Sequence, residues 1–128
     1  QDGNCIRAGS DNMPIPKAES AFVPLEKLTG YLLNAARPIG GPKARWFFSL
    51  GYSRNTPKQL ELDLLELVRR CPALDAKATR HGIKYTVRGR VRSPNGRRAM
   101  ICTVWIAECK NAPPRLVTAY PAQGADHE

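Results

Sequence analysis

The stretch GIKYTVRGRVRSPNGRRAMICTVWIAECKNAPPRLVTAYP, residues 82–121, decides how this chain folds. Gly82–Arg92 alternates apolar with polar residues, and Arg98–Ala107 is rich in β-branched and apolar ones. The segment 111–114, with two prolines, interrupts the pattern, and 115–120 makes a short third strand. Asn95-Gly96 between two alternating runs is the strongest short cue for a hairpin, and it predicts a two-residue loop. Such a loop sets Val91 opposite Met100, Gly89 opposite Cys102, Val87 opposite Val104 and Tyr85 opposite Ile106. Residues directly opposite share a face. One face then holds Tyr85, Val87, Val91, Met100, Cys102, Val104 and Ile106, and needs an apolar cover. The other holds Lys84, Thr86, Arg88, Arg90, Arg92, Ile101, Thr103 and Trp105. It is cationic, with hydroxyls and one indole. Plain solvation is the competing reading of that second face.

Upstream of this unit the periodicity changes. Residues 1–17 are polar and contain Met13-Pro-Ile-Pro-Lys17, the pattern of a linker arm. Residues 18–23 suit an extended piece lying on the domain. Pro24, placed at a first helical position, precedes Leu25, Leu28, Tyr31, Leu32 and Leu33, an amphipathic helix ending near Pro38. Pro42 to Leu50 predicts a second helix closed by Gly51, and Thr56-Pro57 opens a Leu-rich third helix ending before Pro72. Residues 74–79 read as an edge strand or a lead-in to the hairpin, and 122–128 as a frayed tail. Helices first and strands second define an α+β fold. Its N-terminal helices pack on one face of a C-terminal antiparallel sheet of three to five strands. The expected organisation is a linker at 1–17, one catalytic-type domain at 18–121, and a tail.

Composition narrows the partners. The chain has 128 residues, 42% of them hydrophobic, which suits one globular domain with a single core. Its net charge of +9 favours a polyanion, with nucleic acid ahead of anionic lipid. No apolar run approaches a membrane span. The first residue is Gln1 rather than Met, which leads us to expect a piece of a longer polypeptide. Cys5, Cys71, Cys102 and Cys109 form no CxxC, and neither His81 nor His127 has ligand spacing to them, so no metal site and no cofactor are expected. Cys102 reads as a small buried apolar residue. A disulfide is open, and work in a reducing cytosol is the simpler expectation.

The ordered set Gly82-x-Lys84-Tyr85, Pro94-x-Gly96-Arg97, Thr103-Val104-Trp105-Ile106 and Pro114-Arg-Leu-Val-Thr-Ala-Tyr-Pro121 resembles small toxin domains. These stand at the C-termini of large secreted or contact-dependent growth inhibition proteins of bacteria. Lys27-Leu-Thr-Gly-Tyr-Leu-Leu33 and Gly41-Pro-Lys-Ala-Arg-Trp-Phe-Phe48 look like the same family, so the resemblance spans about residues 15–121. It implies a fold similar to the barnase/EndoU/colicin/RelE-like ribonucleases, with helices on one sheet face and the active site on the other. It further implies a metal-independent endoribonuclease, with tRNA a plausible substrate and a small acidic immunity protein as partner. The toxin is then a monomer delivered as part of a larger protein and acting in the target-cell cytoplasm.

Metal-free RNA cleavage by the substrate's 2′-hydroxyl needs a proton acceptor, a proton donor and cations for the phosphorane. The candidate catalytic residues are His81, Lys84, Thr103, Thr118 and Tyr120. His81 suits acid–base work near neutrality, or is a solvated loop residue. Thr103 and Thr118 offer hydroxyls, or are plain strand residues. Tyr120 faces either way, because no tight turn sets the facing of its strand. Candidate RNA- and phosphate-binding residues are Arg88 and Arg90 on the sheet, Lys43 and Arg45 at the start of the second helix, and Trp105 as a base-stacking surface. The alternative is a non-catalytic nucleic-acid-binding or protein-interaction module using the same basic face.

Overall fold

Pro94 has no backbone N–H, and a two-residue hairpin loop needs one at that position to close its narrow pair. The chain therefore turns through three residues. In the computed structural model, which describes residues 15–28, 30, 33, 41–109 and 111–122, the Ser93 amide donates to the Arg97 carbonyl at 2.9 Å. The Gly96 amide donates to the Ser93 carbonyl at 2.9 Å, and Gly96 adopts φ 90°. This is a type I turn with Pro94 at its favoured second position, followed by a left-handed glycine. The Asn95 side chain locks the turn: its Oδ1 accepts from Ser93 Oγ and from the Arg97 amide, and its Nδ2 donates to the Ser49 carbonyl.

The longer loop shifts the hairpin by one residue from the sequence expectation. Strand β2 (Gly82–Arg92) pairs with β3 (Arg98–Ala107) so that Val91 faces Ala99, Arg88 faces Cys102, Val87 faces Thr103 and Tyr85 faces Trp105. A one-residue slip turns a whole strand over. The β2 residues keep the expected faces, but every β3 residue changes side. Ile101, Thr103 and Trp105 are wholly buried, whereas Met100, Cys102, Val104 and Ile106 join the cationic face.

The sheet has four antiparallel strands in the order β1-β2-β3-β4, with β1 at Asp75–Thr79 and β4 at Arg115–Pro121. The edge strand expected at 74–79 is therefore present. Between Val104 and Trp105 the β3–β4 register shifts, so Val104 faces Thr118 while Trp105 faces Leu116. Phe22 extends the β4 edge by a parallel bridge to Arg115; its amide donates to the Pro114 carbonyl and its carbonyl accepts from the Leu116 amide.

The helices cover the other face. Among the described residues they comprise a 3-10 turn at Ala18–Ser20, α1 (Leu25–Lys27), α2 (Gly41–Ser49) and α3 (Pro57–Arg70). Pro24 caps α1 instead of standing inside it. Leu28 and Leu33 are buried, and the remainder of the predicted first helix lies outside the described residues. Helix α2 ends as its sequence predicts. Gly51 takes φ 101°, its amide donates to Phe48, and the Tyr52 amide donates to Phe47. The Phe47 and Tyr52 rings meet edge to face at 6.1 Å across this cap. Tyr52 donates to Asp63 Oδ2 on α3 at 2.6 Å, and burial, then that hydrogen bond and the carboxylate's charge, hold its hydroxyl above the usual tyrosine range. Pro57 opens α3, and Leu60, Leu64, Leu65, Leu67 and Val68 supply its buried stripe.

The core therefore lies between these helices and Tyr85, Val87, Val91, Ile101, Trp105, Leu116 and Ala119. The polar groups of Thr103 and Trp105 are buried in it and hydrogen-bonded. Trp105 Nε1 donates to Thr103 Oγ1 at 2.8 Å, and Thr103 Oγ1 donates to the Val87 carbonyl at 3.2 Å. Cys71 is disulfide-bonded, the possibility that the sequence left open, while Cys102 and Cys109 are free thiols. Thr103→Val removes the indole's acceptor and leaves a buried N–H unpaired. It should cost about 1–3 kcal/mol of stability in denaturant unfolding without changing the fold.

Candidate functional site

The sheet face away from the helices is built in rows, because residues paired across neighbouring strands point the same way. One row runs Arg88–Cys102–Tyr120. The next runs Asp75–Thr86–Val104–Thr118, and the third Lys77–Lys84–Ile106–Arg115. Toward the hairpin tip Arg90 pairs with Met100, and Arg92 with Arg98. The strand residues of this face thus carry Lys77, Lys84, Arg88, Arg90, Arg92, Arg98 and Arg115 against one carboxylate, Asp75. Along β3 runs an apolar stripe of Met100, Cys102, Val104 and Ile106 between these flanks. A face of this composition attracts polyanions and offers them apolar contact as well.

A cleft of about 330 Å³ lies on this face, lined by Leu74, Thr86, Arg88, Cys102, Tyr120 and Ala122. The strands bring its polar members together from three separate stretches of sequence. Cys102 is 5% exposed and clusters with Met100 and Ala122, against which Tyr120 packs. The Tyr120 hydroxyl is held above the usual tyrosine range, first by its hydrogen bond with Cys102, then by burial, with the Arg88 charge pulling the other way. At neutral pH Tyr120 is a proton donor beside a guanidinium.

Of the predicted site residues, Lys84, Arg88, Arg90, Thr118 and Tyr120 share this open face. The facing of Tyr120, open in the sequence, is toward the cleft. Thr103 and Trp105 do not share the face. The one-residue register shift places both in the core, where the Trp105 indole donates to the Thr103 hydroxyl. Their expected exposure is corrected accordingly. His81 is exposed in the β1–β2 turn, where its amide donates to Thr79 Oγ1. Gly82 beside it is six residues from Arg88, about 20 Å along an extended strand, so the fold does not bring His81 to the cleft. Arg45 is exposed on α2, whose buried residues belong to the core on the opposite side of the sheet. Lys43 falls within α2, and its side chain lies outside the described residues. Sequence reasoning missed Cys102 and Thr86 as cleft residues. Thr86 was on the right face without a role, and Cys102 was on the wrong face.

Helices on one side of an antiparallel sheet and a cationic cleft on the other define an α+β domain with one sheet face left uncovered among the described residues. The chain belongs to the family described as domain of unknown function DUF6883, whose model matches residues 14–123. No curated protein matches it. Among solved structures it is similar to a chain of the contact-dependent growth inhibition toxin–immunity protein complex from Klebsiella pneumoniae 342. The TM-score is 0.65 at 15% identity, covering 84% of this chain and 98% of that one. This likeness is one of fold, and at that level it bears out the resemblance to contact-dependent growth inhibition proteins.

The burial of Cys102 under Tyr120 is directly measurable. In the folded domain a maleimide should label Cys109 at the rate of an exposed thiol and Cys102 far more slowly. Tyr120→Ala should raise the Cys102 rate while leaving that of Cys109 unchanged, as read by mass spectrometry of the labelled peptides.

Proposed function

We propose that this domain is a ribonuclease toxin that inhibits the growth of neighbouring bacteria, and that a cognate immunity protein neutralises it. The observation that carries this reading is the row Arg88–Cys102–Tyr120 with Thr86 in a cleft on the cationic face. The fold shared with a chain of a toxin–immunity complex supports it. Arg88 takes the charge that develops on the non-bridging oxygens as the substrate's 2′-oxygen bonds to phosphorus. Tyr120, held protonated, donates its proton to the departing 5′-oxygen as the P–O5′ bond breaks, and the 2′-proton passes to solvent, which the open cleft admits. The products are a 2′,3′-cyclic phosphate and a 5′-hydroxyl. Thr86 and Thr118 position the phosphate by hydroxyl hydrogen bonds, while Lys84 and Arg90 hold the flanking backbone. Cleavage of tRNA is the form of this activity that the family resemblance implies. No helix among the described residues is long and apolar enough to cross a membrane. In this reading the domain arrives in the target cytoplasm as part of a larger protein.

Purified domain should cleave RNA in EDTA as well as in magnesium. Arg88→Ala and Tyr120→Phe should each lower kcat/KM by about 100-fold or more with the fold intact by circular dichroism. Because the Tyr120 pKa is raised and its protonated form is the active one, alkaline loss of activity from this group should set in only above the ordinary tyrosine range. Full activity in both variants would refute the assignment.

The immunity protein should be small and acidic, since opposite charge speeds association and covers the same surface. RNA and immunity protein should exclude one another in a competition experiment at moderate salt. Charge reversal at Arg88 or Arg90 should weaken both. Simultaneous binding, with reversals that affect RNA alone, would refute direct occlusion.

A further inference from the structure

The base-stacking role expected of Trp105 has no surface to act on, because that indole is wholly buried. The open face does carry another large aromatic. Phe22 is 45% exposed. Its neighbours Ala21 and Val23 are buried, so Phe22 points to the opposite side of the sheet from the core. Its bridge to Arg115 extends the row Lys77–Lys84–Ile106–Arg115 by one position. The row therefore reads cation, cation, aliphatic, cation, aromatic from one sheet edge to the other.

A second pocket, of about 200 Å³, sits at this end of the face. Phe22, Ile106, Glu108, Ala112, Pro113 and Arg115 line it. Its walls are apolar and partly aromatic, and its polar members are one guanidinium and one carboxylate. A nucleobase matches that chemistry: the ring stacks on Phe22 against Ile106 and Pro113, its phosphate meets Arg115, and an exocyclic amine donates to Glu108. Along β3, Ile106 stands four residues from Cys102, about 13 Å, so the pocket lies on the same surface at the length of a short stretch of single strand. The surrounding Lys77, Lys84 and Arg115 make the patch attractive to a polyanion, not to an uncharged apolar segment.

We infer that the Phe22–Arg115 pocket is a subsite for an unpaired nucleobase of single-stranded RNA, outside the cleft that holds Arg88 and Tyr120. The subsite fixes the position of the RNA along the face, and its carboxylate favours an amine-bearing base over uracil. This inference rests on RNA being the ligand of the open face, and does not need the cleavage chemistry.

The probe is a fluorescent single-stranded RNA of about ten nucleotides with every 2′-hydroxyl methylated, so that it binds without being cut. Phe22→Ala should weaken binding by about tenfold in fluorescence anisotropy, and Arg115→Ala should weaken it and lower the salt slope by about one. Phe22→Trp should retain affinity, and its new exposed indole should be quenched as RNA is added, whereas Trp105 is shielded. Phe22→Trp carrying Arg88→Ala should still show the quench, which separates this subsite from the catalytic reading. Unchanged affinity in Phe22→Ala, or no quench in Phe22→Trp while anisotropy reports binding, would overturn the inference. So would a Phe22→Ala variant that loses only its immunity protein, since the pocket would then be a protein-docking site.

Discussion

The composition of the open sheet face depends on an amide hydrogen that Pro94 does not have. Without it the hairpin takes three loop residues, Gly96 enters the left-handed region, and β3 is fixed one residue away from the alternative register. That choice places Trp105, Ile101 and Thr103 under the helices and Met100, Cys102, Val104 and Ile106 on the open side. The turn is held from outside as well. Asn95 donates from its amide to the Leu50 carbonyl and from its side chain to Ser49, so the end of α2 and the hairpin tip fix each other. Gly51 is required at this contact twice over, by its φ of 101° and because a Cβ there would press on the Asn95 amide at 3.0 Å.

The register also decides what sort of surface the open face is. With β3 in the alternative register, Ile101, Thr103 and Trp105 would stand among the arginines, and Cys102 would face the core. As folded, an apolar stripe on the central strand separates the β2 cations from the hydroxyls of β4. Cys102 opposite Arg88 and Tyr120 opposite Cys102 put a hydroxyl and a permanent cation beside a thiol that is itself buried. There a hydrogen bond or charge interaction is worth more than in open water. The buried Thr103–Trp105 pair does structural work on the reverse side. It allows the largest side chain of the core to carry an N–H without an unsatisfied donor.

A fold of this kind does not by itself specify a reaction. The likeness to a chain of a toxin–immunity complex, at 15% identity, concerns the arrangement of helices and strands. What bears on activity is the convergence of Thr86, Arg88, Cys102 and Tyr120 from three strands into one cleft, with cations along the rest of the face. In the proposed reading, RNA and an acidic inhibitor are both drawn by the field of Lys84, Arg88 and Arg90, so one surface would serve substrate binding and neutralisation alike.

The strands Gly82–Arg92 and Arg98–Ala107, the helix over Pro57–Arg70 with its proline start, and the glycine that closes α2 were all legible in the sequence. Each is specified locally, by alternation, by a ring that fixes φ, or by a residue that tolerates positive φ. The cationic character of the β2 face was legible for the same reason, since alternation along one strand needs no partner. Three things were not. The pairing of β2 with β3 turned on loop length, where the Asn-Gly cue and the preceding proline disagree, and the hydrogen-bonding deficit of Pro94 won. The facing of Tyr120 depended on a bulge in β4 and on which side of Trp105 the helices packed. The place of Phe22 beside Arg115 joins residues ninety-three positions apart, a contact that only closing the chain into a sheet creates. Local sequence determined which segments are strands and helices and where the positive charge lies. Tertiary structure decided which side chains meet, because register and long-range pairing are settled by hydrogen bonds and burial between distant segments.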